Sequence, residues 1–320
     1  MGEFDLIARY FARPAKRSPL GTGDDCALLA PAPGMQLAVS TDMLVEGRHF
    51  LSTVDPARLG HKALAVNLSD LAACGAKPLA FTLALSLPAV DEAWLEGFSR
   101  GLFALADAHD CDLVGGDTTR GPLNICITVF GELSPGHALR RDAAQVGDDI
   151  WISGTLGDAR LALAGYWNEL ELDPALHAEA ATRMHLPTPR VALGLALASL
   201  PVAHAALDIS DGLVGDLGHI LQASRVGATL DVDALPAGPV LAQQAPALRR
   251  RFTAAGGDDY ELCFTAPRAA REAVLAAGAQ AATPVTRVGT IDAVPALRLV
   301  DGSGAALELG LAGWDHFRSD

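Results

Sequence analysis

Aspartate closes or interrupts an apolar run at five places in this chain: Gly23-Asp24-Asp25, Ser40-Thr41-Asp42, Asn67-Leu68-Ser69-Asp70, Gly115-Gly116-Asp117-Thr118 and Asp208-Ile209-Ser210-Asp211-Gly212. Carboxylates with neighbouring hydroxyls are the hard oxygen donors that magnesium takes, and magnesium keeps some of its waters. Converging on such ions, these residues would link the protein to phosphate oxygens and neutralise charge on a phosphoryl group in transfer. Taken singly, each has another reading, because aspartate, serine and glycine also build turns and helix caps. Asp211, followed by Gly212 and the apolar positions Leu213, Val214, Leu217, Ile220 and Leu221, reads by itself as an N-cap. Asp70 lies within an otherwise apolar helical stretch, where an unpaired carboxylate is costly to bury.

The charge balance points the same way. The 320 residues hold 24 Lys and Arg against 38 Asp and Glu, a formal net charge of −14. That argues against a nucleic acid partner held by electrostatics and leaves any bound polyanion in need of a cation. Neither a Gly-x-x-x-x-Gly-Lys-Ser/Thr loop nor a Gly-x-Gly-x-x-Gly stretch between strand and helix occurs, so neither a P-loop kinase nor a Rossmann dehydrogenase is expected. Gly115-Gly116 reads either as a close approach of backbone amides to a phosphate or as a plain turn. Arg140-Arg141 reads either as a phosphate clamp or as a solvated surface pair. Cys26, Cys74, Cys111, Cys126 and Cys263 are odd in number and never paired two residues apart, and they read as reduced core thiols. The chain opens without a basic segment followed by an apolar core, and no apolar run reaches the roughly 20 residues of a membrane helix. A cytoplasmic protein with no membrane partner is the expectation.

Half of the residues are hydrophobic and 19% are charged, enough apolar material for packed cores. Phe4, Ile7, Ala8 and Phe11 recur at helical spacing and predict a short opening helix. Residues 20–25 read as a glycine-punctuated loop, and 26–30 and 36–41 as strands. Asp55-Pro56 has the cap-then-proline signature of a helix running toward Gly75. Residues 79–87 read as a buried strand, and Asp91 and Glu92 open a helix reaching about His109. Residues 112–116 read as a strand entering a tight turn, and 123–133 as an alternating strand. The polar stretch 136–149 is the candidate boundary, with the break near 145 and domains of 1–145 and 146–320. Beyond it, 150–153, 206–209, 228–232, 261–265 and 285–290 are strand candidates between alanine- and leucine-rich helices. Both halves are α/β (α+β), mixed sheets packed with helices.

Taken in order, the aspartate segments, with Gly47-Arg48-His49-Phe50, Lys62-Ala63-Leu64-Ala65-Val66-Asn67, Gly257-Asp258-Asp259-Tyr260-Glu261-Leu262 and Gly313-Trp314-Asp315-His316-Phe317, resemble the thiamine-monophosphate kinases over nearly the whole chain. The acidic motifs alone indicate the wider superfamily of aminoimidazole ribonucleotide synthetase, selenophosphate synthetase and a hydrogenase maturation protein. The segments at 47–50, 256–262 and 313–317 are similar to the kinases specifically.

The resemblance implies a two-domain fold of that superfamily, a homodimer formed through the N-terminal domain, and ATP with several magnesium ions in a cleft between domains. It implies metal ligation by Asp25, Ser40, Thr41, Asp42, Asp70, Asp117, Asp208 and Asp211. Nucleotide contacts would come from Gly116, Asp117, Arg141 and Ser210. Contacts to thiamine monophosphate would come from His49, Asp258 and Trp314. The reaction implied is direct in-line transfer of the γ-phosphoryl group of ATP onto thiamine monophosphate, giving thiamine diphosphate, with no residue assigned as general base. The alternatives are another ATP-dependent enzyme of the superfamily that activates an amide or carbonyl oxygen, or a nucleotide-binding regulator without turnover. One departure stands out, since the family's Gly-Glu-Asp-Tyr-Glu-Leu segment carries Asp258 here in place of glutamate.

Overall fold

The computed structural model describes residues 2–20, 22, 25–199 and 202–310. The chain forms two compact units, unit 1 from Met1–Leu71 with Ala76–Gly136 and unit 2 from Ala72–Gly75 with His137–Asp320.

Unit 1 contains α1 (Glu3–Tyr10), β1 (Gln36–Val45), α2 (Pro56–Cys74), β2 (Lys77–Leu87), α3 (Glu92–Ala108), β3 (Asp112–Arg120) and β4 (Asn124–Leu133). Its sheet has the order β1-β4-β2-β3. β4 pairs antiparallel with β1 and β2, and β2 runs parallel to β3 through the α3 crossover. Asp91 caps α3, its carboxylate accepting from the Ala93 and Trp94 N–H groups at 3.0 and 3.1 Å. α2 is apolar almost all round and is buried accordingly. It meets α3 at Gly101, where an added Cβ would stand 1.8 Å from the Ala57 carbonyl oxygen, so this crossing admits only glycine. The sheet face turned away from α2 leaves apolar side chains uncovered: Leu37, Val39 and Met43 of β1 are 41%, 56% and 53% exposed.

Two local expectations are corrected here. Residues 26–30 form no strand. The Leu28 N–H donates to Ser18 Oγ at 3.1 Å, and Ala27 and Leu29 pack against Leu79, Ala80 and Val114, so the alternation records packing without ladder partners. Nor does Gly115-Gly116 make a turn. β3 continues to Arg120, pairing with β2 from Thr82 to Leu87 after a register shift.

Unit 2 contains β5 (Asp149–Ser153), α4 (Asp158–Tyr166), α5 (Pro174–His185), α6 (Val191–Ser199), β6 (Ala206–Ile209), α7 (Leu213–Ser224), β7 (Gly227–Asp231), α8 (Pro246–Ala255), β8 (Glu261–Ala266), α9 (Arg271–Gln280), β9 (Val285–Asp292) and β10 (Leu297–Val300). The sheet order is β10-β7-β9-β5-β8-β6, antiparallel except for β10 beside β7. β10 escaped the sequence reading because it is short and only half-buried. The core joins Ile150 and Ile152 of β5, Leu207 and Ile209 of β6, and Leu213, Leu217 and Ile220 of α7. Burial of α7 against β6 fixes the loop between them, which carries Ser210 and Asp211.

The cysteines divide differently from the expectation of core thiols: Cys111 and Cys263 are buried, Cys126 is intermediate, and Cys26 and Cys74 are exposed. All five are free. Among the described residues no helix is long and apolar enough to cross a membrane.

Candidate functional site

In unit 1 the pleat of β1 separates the three residues of the Ser-Thr-Asp segment. Ser40 and Asp42 face α2. Ser40 Oγ donates to Asp70 at 2.5 Å, and the Asp42 N–H donates to Asn67 Oδ1 at 3.1 Å. Asn67 is oriented in turn by donating to the Ala63 carbonyl at 3.0 Å. Asn67 and Asp70 stand one helical turn apart, so the strand and one face of α2 bring Ser40, Asp42 and Asp70 together. Thr41 points to the other face, where its Oγ1 lies 2.9 Å from Thr128 Oγ1.

Gly116 and Asp117 lie on β3 at the far edge of the sheet, three strands from β1 and therefore roughly 14 Å away. Gly116 has φ of 146°, and a Cβ there would meet the Leu83 carbonyl oxygen at 1.9 Å, so no other residue fits. Asp25 is exposed. Gly23, Asp24 and the segment holding Trp314 lie outside the described residues. His49 sits in the turn after β1, its Nδ1 accepting the Val45 N–H at 3.0 Å, which places the proton of the neutral ring on Nε2.

In unit 2, Asp208 is buried on β6, and Ser210 and Asp211 follow in the loop to α7. Asp211 is not the N-cap of α7. That position is Gly212, and the carboxylate of Asp216 reaches back from the first turn to accept the N–H groups of Ser210, Asp211 and Gly212, each at 3.1 Å. Burial, and then the neighbouring charge of Asp211, push the Asp216 carboxyl up to about 7.

A second loop crosses the first. The Asp258 N–H donates to the Ser210 carbonyl and the Tyr260 N–H to the Ile209 carbonyl, both at 2.8 Å. Asp258 and Tyr260 adopt φ of 70° and 50°, a left-handed backbone that costs non-glycine residues roughly 1–3 kcal/mol each. Asp259 between them is buried and accepts the Gly157 N–H on both carboxylate oxygens, at 2.9 and 3.0 Å. Burial raises its carboxyl well above the ordinary range, opposed by the Gly157 N–H and by the charge of Arg183. The ends of β6 and β8 therefore carry Asp208, Ser210, Asp211 and Asp258 as one group.

Arg140 and Arg141 are told apart by their partners. Arg140 forms a two-pronged pair with Asp142, at 2.8 and 2.5 Å, whereas Arg141 is exposed and its side chain forms no ion pair with a described residue.

Among the described residues no three His, Cys, Asp or Glu side chains gather into a metal cage. The donor sets still suit magnesium. They are hard oxygens with no sulfur or nitrogen, and magnesium is commonly held by one or two carboxylates with waters and substrate phosphates completing its shell. Sequence reasoning missed Asn67, Asp216, Asp259 and Arg183. Asp216 was the most accessible of these, as an acidic residue in a first helical turn after a Ser-Asp-Gly loop.

Residues 23–133 match the N-terminal domain and residues 145–302 the C-terminal domain of the family described as AIR synthase related protein. The chain is 48% identical to thiamine-monophosphate kinase of Salmonella typhimurium over 99% of this chain and 98% of that protein. It superposes on the crystal structure of thiamine-monophosphate kinase from Stenotrophomonas maltophilia with a TM-score of 0.84 at 46% identity, covering 95% of this chain and 96% of that one. AaThiL complexed with AMPPCP and TMP gives a TM-score of 0.76 at 29% identity, covering 98% and 96%.

The raised carboxyl of Asp216 has a measurable consequence. A folded-state value of about 7 lies above the unfolded one, so the stability linked to this group is fully present below about pH 4 and is lost as pH rises through about 7. In magnesium-free buffer, urea unfolding is expected to give a free energy that falls by about 1 kcal/mol per pH unit between pH 5 and 7 from this residue. Asp216→Asn should flatten that slope, and a variant with the wild-type slope removes the assignment.

Proposed function

The chain belongs to the thiamine-monophosphate kinases of the AIR synthase related family, and from that membership we propose that it transfers the γ-phosphoryl group of ATP to thiamine monophosphate, forming thiamine diphosphate. The observation that carries the reading is the 48% identity to a thiamine-monophosphate kinase over 99% of this chain, and the pair of hydrogen bonds tying Asp258 and Tyr260 to the Ile209-Ser210 backbone supports it, because it holds the residues proposed for acceptor and nucleotide side by side.

Within unit 1, Ser40, Asp42 and Asp70 would hold one magnesium together, while Asp117, three strands away on β3, and the exposed Asp25 would serve other ions. The Thr41 hydroxyl is engaged by Thr128, so Thr41 contributes through its backbone. Within unit 2, Asp208 and Asp211 are the metal ligands. Bound there, magnesium supplies charge neutralisation at the phosphate oxygens of ATP. Gly116 offers backbone close to a phosphate, Ser210 a hydroxyl, and Arg141 a guanidinium with no ion pair among the described residues for a phosphate oxygen.

His49, Asp258 and Trp314 serve the acceptor. The Nε2–H of His49 is a donor suited to a phosphate oxygen, and Asp258, one methylene shorter than the family's glutamate, offers a carboxylate of shorter reach. The acceptor phosphate is already ionised near neutral pH, and transfer needs no general base. The chain's task is to align the attacking oxygen with the γ-phosphorus, which is where such enzymes gain their rate.

The proposal includes a homodimer through unit 1. The open sheet face with Leu37, Val39 and Met43 is an apolar patch of the kind that a second copy covers. Five cysteines with no disulfide among the described residues accord with a reducing cytoplasmic location.

Purified protein given ATP, magnesium and thiamine monophosphate is expected to form thiamine diphosphate. Neither the sample without magnesium nor that with unphosphorylated thiamine should yield it, and ATP binding without product sinks the assignment. For the dimer, sedimentation should report two copies for the wild type and a shift toward one for Val39→Asp; a wild-type monomer at micromolar concentration excludes it.

A further inference from the structure

We infer that Arg183 is a positioning residue for the acceptor side of the site, holding the strained loop that presents Asp258. The inference rests on the reading above that Asp258 faces thiamine monophosphate.

Glu261 begins β8 directly after the loop and is fully buried. Arg190 already neutralises it in a two-pronged pair, Nε to Oε2 at 2.6 Å and Nη2 to Oε1 at 2.5 Å, and Ser153 Oγ donates to Oε2 at 2.6 Å. A buried carboxylate so satisfied does not require another cation. Arg183, on α5, is nevertheless brought to the same carboxylate, with Nη2 2.9 Å from Oε1. The same Nη2 lies 3.0 Å from the carbonyl oxygen of Asp259. Asp259 is the residue between the two left-handed positions, Asp258 and Tyr260. Arg183 is thus added where it ties the middle of the loop to the start of β8.

The other anchors leave that carbonyl to Arg183. The Asp259 carboxylate is used by the Gly157 N–H, and the loop N–H groups of Asp258 and Tyr260 by the Ser210 and Ile209 carbonyls. Without the guanidinium, a buried carbonyl at the centre of a strained turn loses its partner. The loop then relaxes toward ordinary backbone angles and carries Asp258 with it. Displacement of a binding group by about an ångström is enough to lower activity by one to two orders of magnitude.

The test compares wild type, Arg183→Met and Arg183→Lys by steady-state kinetics and by amide hydrogen exchange. Arg183→Met is expected to raise the KM for thiamine monophosphate roughly tenfold or more, with the KM for ATP within about twofold of wild type. Exchange at the Asp258 and Tyr260 amides should accelerate about tenfold while the β5 amides keep their rates. Arg183→Lys, which keeps a single cationic donor nitrogen, should fall between the two, and it decides the matter alone if Arg183→Met does not fold. Faster exchange with an unchanged acceptor KM makes the contact merely structural, and a raised KM without faster exchange makes Arg183 a direct contact; either result overturns the inference, as does no change in both. Wild-type protein that makes no thiamine diphosphate fails the activity assignment instead, and the exchange rates then judge the tie between Arg183 and the loop separately.

Discussion

Carboxylate and phosphate repel each other, and the proposed function has a chain with a formal net charge of −14 bind a nucleotide triphosphate with a cation between them. The arrangement of its aspartates follows from that requirement. Magnesium takes six oxygen ligands, and under the proposed reading the carboxylates and hydroxyls grouped in each unit would fill part of that shell, with phosphate oxygens and water completing it. The fold keeps these carboxylates where they are. Ser40 donates to Asp70, Asn67 receives the Asp42 N–H, and Asp216 satisfies the amides of the loop that bears Asp211.

Order in unit 2 is bought by strain. Two left-handed residues on either side of a buried Asp259 form a loop that does not hold itself in place, and the surrounding structure over-determines it. The carbonyls of Ile209 and Ser210 accept its amides, Gly157 occupies its central carboxylate, and Arg183 takes its central carbonyl. Rigid sheet ends holding a costly loop are what a binding site needs, because a group displaced before the substrate arrives loses affinity when it must be reordered.

Much of this was legible in the residues. Apolar alternation and capping signals located the long strands and helices: the cap-proline pair at Asp55-Pro56 opens α2, and Asp91 caps α3. The acidic segments from Ser40 onward fall on β1, α2, β3 and the end of β6 with the loop after it. Pairing was harder to read. The 26–30 stretch alternates as a strand does but finds no partner strand, and Gly115-Gly116 reads as a turn although Gly116 is there because β2 passes too close for a side chain. The supporting residues were not legible at all, since Asn67, Asp259 and Arg183 acquire their meaning from partners 25 to 102 residues away. Asp211 shows the same limit in reverse, because its local pattern is that of a cap while the capping carboxylate is five residues on.

The claim on which the rest depends is that magnesium makes nucleotide binding possible. Calorimetric titration of the wild-type protein with AMPPCP, in magnesium and in excess chelator, tests it most directly. Tight binding in magnesium that falls by two orders of magnitude or more in chelator is the predicted result, each tenfold being about 1.4 kcal/mol. Equal affinity in both buffers would mean that side chains alone hold the phosphates, and the aspartates would have to be explained as caps and turns.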